Sequence, residues 1–279
     1  MRYGSLFTGI GGMDLGLDRA GMECAWQVEV DPFCRKVLTK HWPDVPKLED
    51  VRDVGKHNLE PVDLIAGGFP CQPISHNGRG RAQGDDRWLW PELARIIDEI
   101  RPSFALLENV SAITGRGLGD VLGDLASLGY DAEWVCLRAS DFGAPHRRER
   151  FFAVAYPQRF GREEGPRVFG SISPEDLRVP TEWRGVPHRN ADGRVRLTPQ
   201  SEVFRVGDGF PTELDLSRLK GLGNAVVPQV AEWIGRRIME ADALFQPPNC
   251  PSNRPILGPA KGDKAVSPCP PSAPPRNRT

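Results

Sequence analysis

The feature that most constrains this chain is the regular alternation, over its first 155 residues, of short apolar runs with amphipathic segments. That pattern belongs to βα units, in which helices cover a largely parallel sheet. Strands are expected at 3–7, 24–28, 63–66, 104–107, 133–137 and 151–155. Helices are expected at 13–20, 32–41, 89–100 and 118–128. In the last of these Leu118, Val121, Leu122 and Leu125 fall at i, i+3, i+4 and i+7, giving one apolar face. The runs DLIAGG and FALLEN are apolar on both faces, as strands in the middle of a parallel sheet are.

The alternation stops at Pro157. From there to about Val203 Gly, Pro, Arg and Trp become frequent, so this stretch reads as a loop-rich insert or small irregular lobe. Helical spacing returns over 226–243, where Val227, Val230, Ala231, Ile234 and Ile238 share a face and Pro228 is tolerable only in the first turn. This late helix is expected to pack back on the sheet. From Pro247 to Pro275 prolines recur with almost no large apolar residues, a composition that cannot offset its ordering entropy, and disorder is expected.

The 279 residues suffice for one large domain with a smaller attached piece. With 39% hydrophobic and 26% charged residues, the composition excludes a wholly disordered chain. No apolar run approaches the roughly 20 residues of a membrane span, and MRYGSLFTGIGG has no secretory pattern, so no membrane association and a cytoplasmic location are expected. Six cysteines occur without a CxxC pair, which argues against a metal site or a disulfide framework. The formal net charge of -1 conceals a split. Residues 1–137 carry 14 basic and 21 acidic side chains, whereas residues 138–279 carry 22 and 16. The basic half suits a phosphate-bearing partner, although chance and a basic tail would also produce it.

Five segments carry chemistry. Phe7-Thr8-Gly9-Ile10-Gly11-Gly12 forms a glycine-rich turn between a strand and a helix, and Glu29 ends the second strand about 20 residues later. Such a pair can admit a nucleoside to the backbone and bind its ribose, or can merely be a tight turn. Gly67-Gly68-Phe69-Pro70-Cys71-Gln72-Pro73 puts a cysteine between stiffening prolines just past a buried strand, the setting of a nucleophile more than of core filler. Glu108, near the end of the run FALLEN, lies at the same sheet edge, where partial burial would let it donate a proton near neutrality; a helix cap or an ion pair is the alternative. In His146-Arg147-Arg148-Glu149-Arg150, an extended backbone would aim Arg148 and Arg150 to one side, or the run could be a solvated strand end. Gly221-Leu222-Gly223-Asn224-Ala225 leads into the final helix and offers backbone groups to a small ligand.

In this order the segments SLFTGIGGMDLGL, VEVD, GGFPCQP, ENV, RRERFF, LTP with GFP, and GNAVVP closely resemble the bacterial and phage DNA (cytosine-5)-methyltransferase family. The resemblance covers about residues 4–155 and 197–238. It implies an S-adenosylmethionine-dependent, Rossmann-like α/β sheet with a small target-recognition lobe. The implied parts are a catalytic and cofactor-binding domain over 1–156, target recognition over 157–203, a segment packing back over 204–245, and a tail over 246–279. S-adenosyl-L-methionine is the implied cofactor. Its implied contacts are Phe7, Thr8, Gly9, Gly11, Gly12, Glu29 (ribose), Val30, Asp50 and Val51 (adenine), Pro70, Asn224 and Ala225. Cys71 is the implied nucleophile, Glu108 the acid, and Arg148 and Arg150 the pair that positions the base. Double-stranded DNA is the implied substrate, with a cognate restriction endonuclease as a functional partner and a monomeric, nucleoid-associated enzyme.

The chain departs from the family pattern at His146, where Gln is usual, at Ile74, where Phe is common, and in the shortness of 157–196. That stretch holds Arg159, Arg162, Arg167, Arg178, Arg184, Arg189, Arg194 and Arg196 with Trp183 and His188, suiting phosphate and base-edge contacts. A lobe this small implies a short target sequence. An RNA cytosine-5 methyltransferase of the same fold and a catalytically silent DNA-binding relative are the alternatives; retention of Cys71, Glu108, Arg148 and Arg150 together argues against the second.

Overall fold

The computed structural model describes residues 1–70, 88–144, 146–158, 167–170, 172, 177, 185–189, 195–199 and 221–245. Seven strands form one sheet: β1 (Arg2–Leu6), β2 (Glu23–Val28), β3 (Lys47–Leu48), β4 (Leu64–Gly67), β5 (Phe104–Val110), β6 (Tyr130–Arg138) and β7 (Glu149–Pro157), in the order β3-β2-β1-β4-β5-β7-β6. The first five pair in parallel, as the βα pattern predicts. β7 runs antiparallel to both β5 and β6. The reason is the length of the β6–β7 connection. Both strands extend beyond their apolar cores and leave residues 139–148 between them, too few for the crossover that parallel pairing requires. β3, two residues long, was not predicted.

Helices α1 (Gly12–Arg19), α2 (Pro32–His41), α3 (Trp90–Ile100) and α4 (Leu118–Ser127) follow the predicted segments within a residue at most termini. α2 starts where Asp31 accepts hydrogen bonds from the Phe33 and Cys34 amides and Pro32 occupies the first turn. A last helix, α5, spans Pro228–Phe245.

The sheet is buried on both sides. In β7 Phe151, Ala153 and Ala155 point to the core under α3 and α4, while Phe152, Val154 and Tyr156 point to the core under α1 and α5. α5 contributes Val230, Ala231, Ile234 and Ile238, all at 3% exposure or less, and it packs along α1. The approach is so close that a Cβ on Gly16 would lie 2.4 Å from the Pro228 carbonyl oxygen.

Within the stretch read as irregular, β8 (Gly185–Arg189) and β9 (Val195–Pro199) pair antiparallel, with His188 opposite Arg196. Pro187 hides this hairpin in the sequence, yet a two-stranded sheet has only edge strands, so a residue without an N–H is accommodated. No helix among the described residues is long and apolar enough to cross a membrane. Residues 246–279, where disorder is expected, lie outside the described residues.

Candidate functional site

The strand order reverses between β1 and β4, from which the chain proceeds outward in opposite directions, and a crevice opens there at the C-terminal ends of the parallel strands. It holds a cavity of about 510 Å3. Its walls come from the segments following β1 (Phe7–Gly9), β2 (Glu29–Asp31), β3 (Glu49–Arg52) and β4 (Gly68–Pro70), from the end of β5 (Glu108–Val110), and from the helical residues 221–224 and the short link from them to α5 (Gly221, Asn224–Val226).

At one end the glycine-rich turn is held in an unusual shape. Phe7 lies in the left-handed region at φ 55°, a conformation that costs a non-glycine residue of order 1 kcal/mol. The strain is held by Thr8, whose amide donates to the Val28 carbonyl (3.2 Å) and whose hydroxyl donates to the Ser5 backbone (3.2 Å). Glu29 organises the next turn. One carboxylate oxygen accepts from the Gly9 amide (2.7 Å) and the other from the Asp31 amide (2.8 Å), tying β1 and β2 ends together while leaving lone pairs toward the cavity. Behind the turn, buried Asp14 accepts from the Ser5 hydroxyl (3.0 Å) and the Gln27 side-chain amide (2.8 Å); burial raises its carboxyl to about 6. On the neighbouring wall Asp50 accepts from the Arg52 amide (2.9 Å), starting a single 3-10 turn in which Val51 is buried.

At the other end sits Glu108, 8% exposed, in the fifth position of β5. Burial pushes its carboxyl up to about 7, against the opposing pull of Arg150 and then Arg148. Arg150 Nε lies 3.2 Å from Glu108 Oε1. A Cβ on Gly68 would stand 2.7 Å from the other Glu108 oxygen, so glycine at 68 is what leaves room for the acid. The segment Gly68–Pro70 is fixed from two sides. Phe69 is wedged among Trp88 and Trp90, with ring centroids 5.5 and 5.4 Å away, and the Asn109 side-chain amide donates to the Phe69 carbonyl (3.2 Å). Asn109 was not singled out from the sequence. The signal was available, because a polar side chain inside a run buried on both faces needs a dedicated partner.

Of the residues proposed from sequence, Phe7, Thr8, Gly9, Glu29, Val30, Asp50, Val51, Pro70, Glu108, Arg150, Asn224 and Ala225 all line this one cavity. Three others do not. Gly11 takes φ 83°, and a Cβ there would meet the Trp42 ring at 2.5 Å; a Cβ on Gly12 would meet the Val226 carbonyl oxygen at 2.2 Å. Both glycines are demanded by packing. Arg148 does not share the direction of Arg150, since β7 begins only at Glu149 and Arg148 has φ 23°. Its Nη2 donates instead to the carbonyls of Gly223 (2.8 Å) and Ala225 (2.5 Å). Cys71 lies outside the described residues, directly after Pro70 in the chain.

Comparison with known proteins converges on one group. The model of a family described as C-5 cytosine-specific DNA methylase matches residues 1–188. The type II methyltransferase M.NgoMIV of Neisseria gonorrhoeae is 33% identical over 304 aligned positions, covering 84% of this chain and 96% of that protein. M.DsaV of Dactylococcopsis salina is 32% identical over 164 residues, which cover 57% of this chain and 46% of that protein, so the chain spans about half the length of some curated relatives it matches. Among solved structures, a DNA modification methyltransferase assigned to an E. coli prophage shares the fold at a TM-score of 0.61 and 19% identity, over 87% of this chain and 99% of the other. The Entamoeba histolytica methyltransferase EhMeth does so at 0.56 and 15%, over 88% and 98%.

Proposed function

The chain belongs to the C-5 cytosine-specific DNA methylase family, and on that premise we propose that it methylates C5 of cytosine in double-stranded DNA, taking the methyl group from S-adenosylmethionine. The observation that carries this reading is the position of Glu108, a buried carboxyl raised to about 7 and paired with Arg150, on the same cavity as the glycine turn and Glu29.

The donor set suits the cofactor. Glu29 keeps lone pairs free for ribose hydroxyls, Val51 and the Asp50 turn present an apolar and polar edge for adenine, and Asn224 and Ala225, at the end of a helical turn, close the wall. When bound, S-adenosylmethionine supplies an electrophilic methyl group attached to a sulfonium. The protein's task is to make cytosine reactive toward it. The Cys71 thiolate adds to C6 while Glu108 hydrogen-bonds or protonates N3, so that C5 gains enamine character. After C5 is methylated, a water molecule takes its proton, Glu108 recovers the N3 proton and the thiolate is expelled from C6, restoring the aromatic ring and leaving 5-methylcytosine and the free Cys71 thiolate. Arg150 orients Glu108 and stabilises its ionised form as the proton leaves. C6 cannot be reached within a stacked duplex, so the base turns out into the crevice at a cost of a few kcal/mol. The arginine-rich stretch 157–203 reads a short sequence around it.

The test is incubation of the purified protein with labelled S-adenosylmethionine and either DNA or RNA, alongside the Cys71→Ser variant, followed by bisulfite sequencing of DNA from an expressing host that lacks methylation. DNA labelling by the wild type alone, at a short shared sequence, is expected. Label on RNA only would reassign the substrate. Normal product from Cys71→Ser would remove the thiol from the mechanism, and a target of eight defined bases would contradict the small reading lobe.

A further inference from the structure

Three arginines stand outside the cavity, and each does the same thing to a different stretch of its wall. On α2, Arg35 Nη1 donates to the carbonyls of Glu29 (3.0 Å) and Val30 (2.9 Å). On α3, Arg95 Nη2 donates to those of Val51 (3.1 Å) and Val54 (2.9 Å). Ahead of β7, Arg148 Nη2 holds Gly223 and Ala225. In every case one nitrogen spans two main-chain carbonyls, and none of the three residues lines the cavity.

The wall segments need such partners. They are a strand end, a single 3-10 turn and the end of a helical turn, where carbonyls lack the partners that a continuing ladder or helix would give, and a charged donor bridging two of them fixes two peptide planes together. The braces are themselves anchored. Arg35 Nη2 pairs with Glu49 (2.9 Å). Arg95 Nε and Nη1 pair with Glu92 (2.9 Å) and Glu99 (2.8 Å), and the second Glu99 oxygen accepts from the Lys56 amide (2.9 Å), so the whole stretch from Val51 to Lys56 is clamped to α3.

We propose that Arg35, Arg95 and Arg148 are positioning residues that set the shape of the cofactor cavity from behind, each bridging two carbonyls in or next to one wall. The inference rests on the cofactor reading above. It gives Arg95, which no motif singled out, control of the Asp50–Val51 turn, and it gives Arg148 a role on the cofactor side in place of one at the base.

Calorimetric titration of the purified full chain with S-adenosylhomocysteine and with adenosine tests it, without any turnover. Arg95→Ala and Arg35→Ala are expected to weaken binding of both ligands by about tenfold, corresponding to about 1.4 kcal/mol. Arg95→Lys is expected to recover part of the loss, because an ammonium can also donate to two carbonyls. At saturating cofactor the kcat of both alanine variants should stay within about twofold of wild type, the loss appearing in KM. Arg101→Ala is the control: Arg101 ends α3 with an ion pair to Asp98 and a bond to the Leu128 carbonyl, remote from the cavity, and its loss should leave affinity unchanged. Wild-type affinity in folded Arg95→Ala, or an equal loss in Arg101→Ala, overturns the proposal. Should Arg95→Ala not fold, unchanged affinity in Arg35→Ala or full loss in Arg95→Lys overturns it equally. A wild type that binds neither ligand overturns the cofactor reading itself, and the inference with it.

Discussion

Glu108 illustrates how one buried side chain couples chemistry to stability. Its proton is held more tightly in the fold than in the unfolded chain, the ordinary value being 4.5 and the folded one about 7. The sign follows directly: the protonated form fits the buried site, the ionised form is penalised, and stability falls as pH rises from about 4.5 to about 7, by about 3 kcal/mol over that window. Glu108→Gln mimics the protonated form at every pH. The melting temperature of the variant relative to wild type should therefore be higher at pH 8 than at pH 5, read by calorimetry in both buffers. Because Gln cannot deliver a proton to N3, the same variant should lose roughly 10²–10⁴-fold in methyl transfer, as a single-turnover assay would record.

Among the elements, the turn after β4 shows what fixing a loop requires. Phe69 supplies the anchor in the aromatic core, and the Asn109 bond holds the plane of its carbonyl just before Pro70. Asn109→Ala should reduce kcat by about 10–100-fold, the scale of a misplacement near 1 Å, with S-adenosylhomocysteine affinity unchanged within about twofold; steady-state kinetics and titration together check this. The same element shows the reach of sequence reading. Apolar runs identified β1, β2, β4 and β5 because these strands are buried on both faces and need no alternation. They could not identify the reversal of β7, since periodicity carries no direction and only the ten-residue connection gives it away. Nor could local pattern separate the glycines of the first turn. Gly9 opens onto the cavity, whereas Gly11 and Gly12 answer to Trp42 and Val226, neighbours that are distant in the chain and invisible to any short window. Arg148 escapes two-residue alternation for a related reason, because it stands one residue before the strand begins.

Across the whole molecule, the charge split and the architecture fall into register. The acidic first half contains β1 to β5, nearly all of β6 and most of the cavity wall, and the arginine-rich stretch follows β7 in the chain. The molecule then depends on its last helix. α5 fills the core beside α1 with side chains each worth about 1.5–3 kcal/mol when fully buried, so a chain ending before Pro228 should fail to fold. A chain ending after Phe245 should match the 279-residue chain in melting temperature and cofactor affinity, because the removed segment has too few large apolar residues to add to a core. Circular dichroism melts of the two truncations distinguish these outcomes.

The contact of Gly12 with the Val226 carbonyl has a consequence in time as well as in space. During translation the glycine turn, Glu29, Cys71, Glu108 and Arg150 all leave the ribosome well before residues 221–226 do. The nascent chain thus carries every proposed reacting group while one wall of its pocket has yet to be synthesised. Closure must span more than 200 residues of separation, a non-local contact of the kind that slows folding. An unfinished chain, however long it stalls short of those residues, has no closed cavity in which the proposed reaction could run.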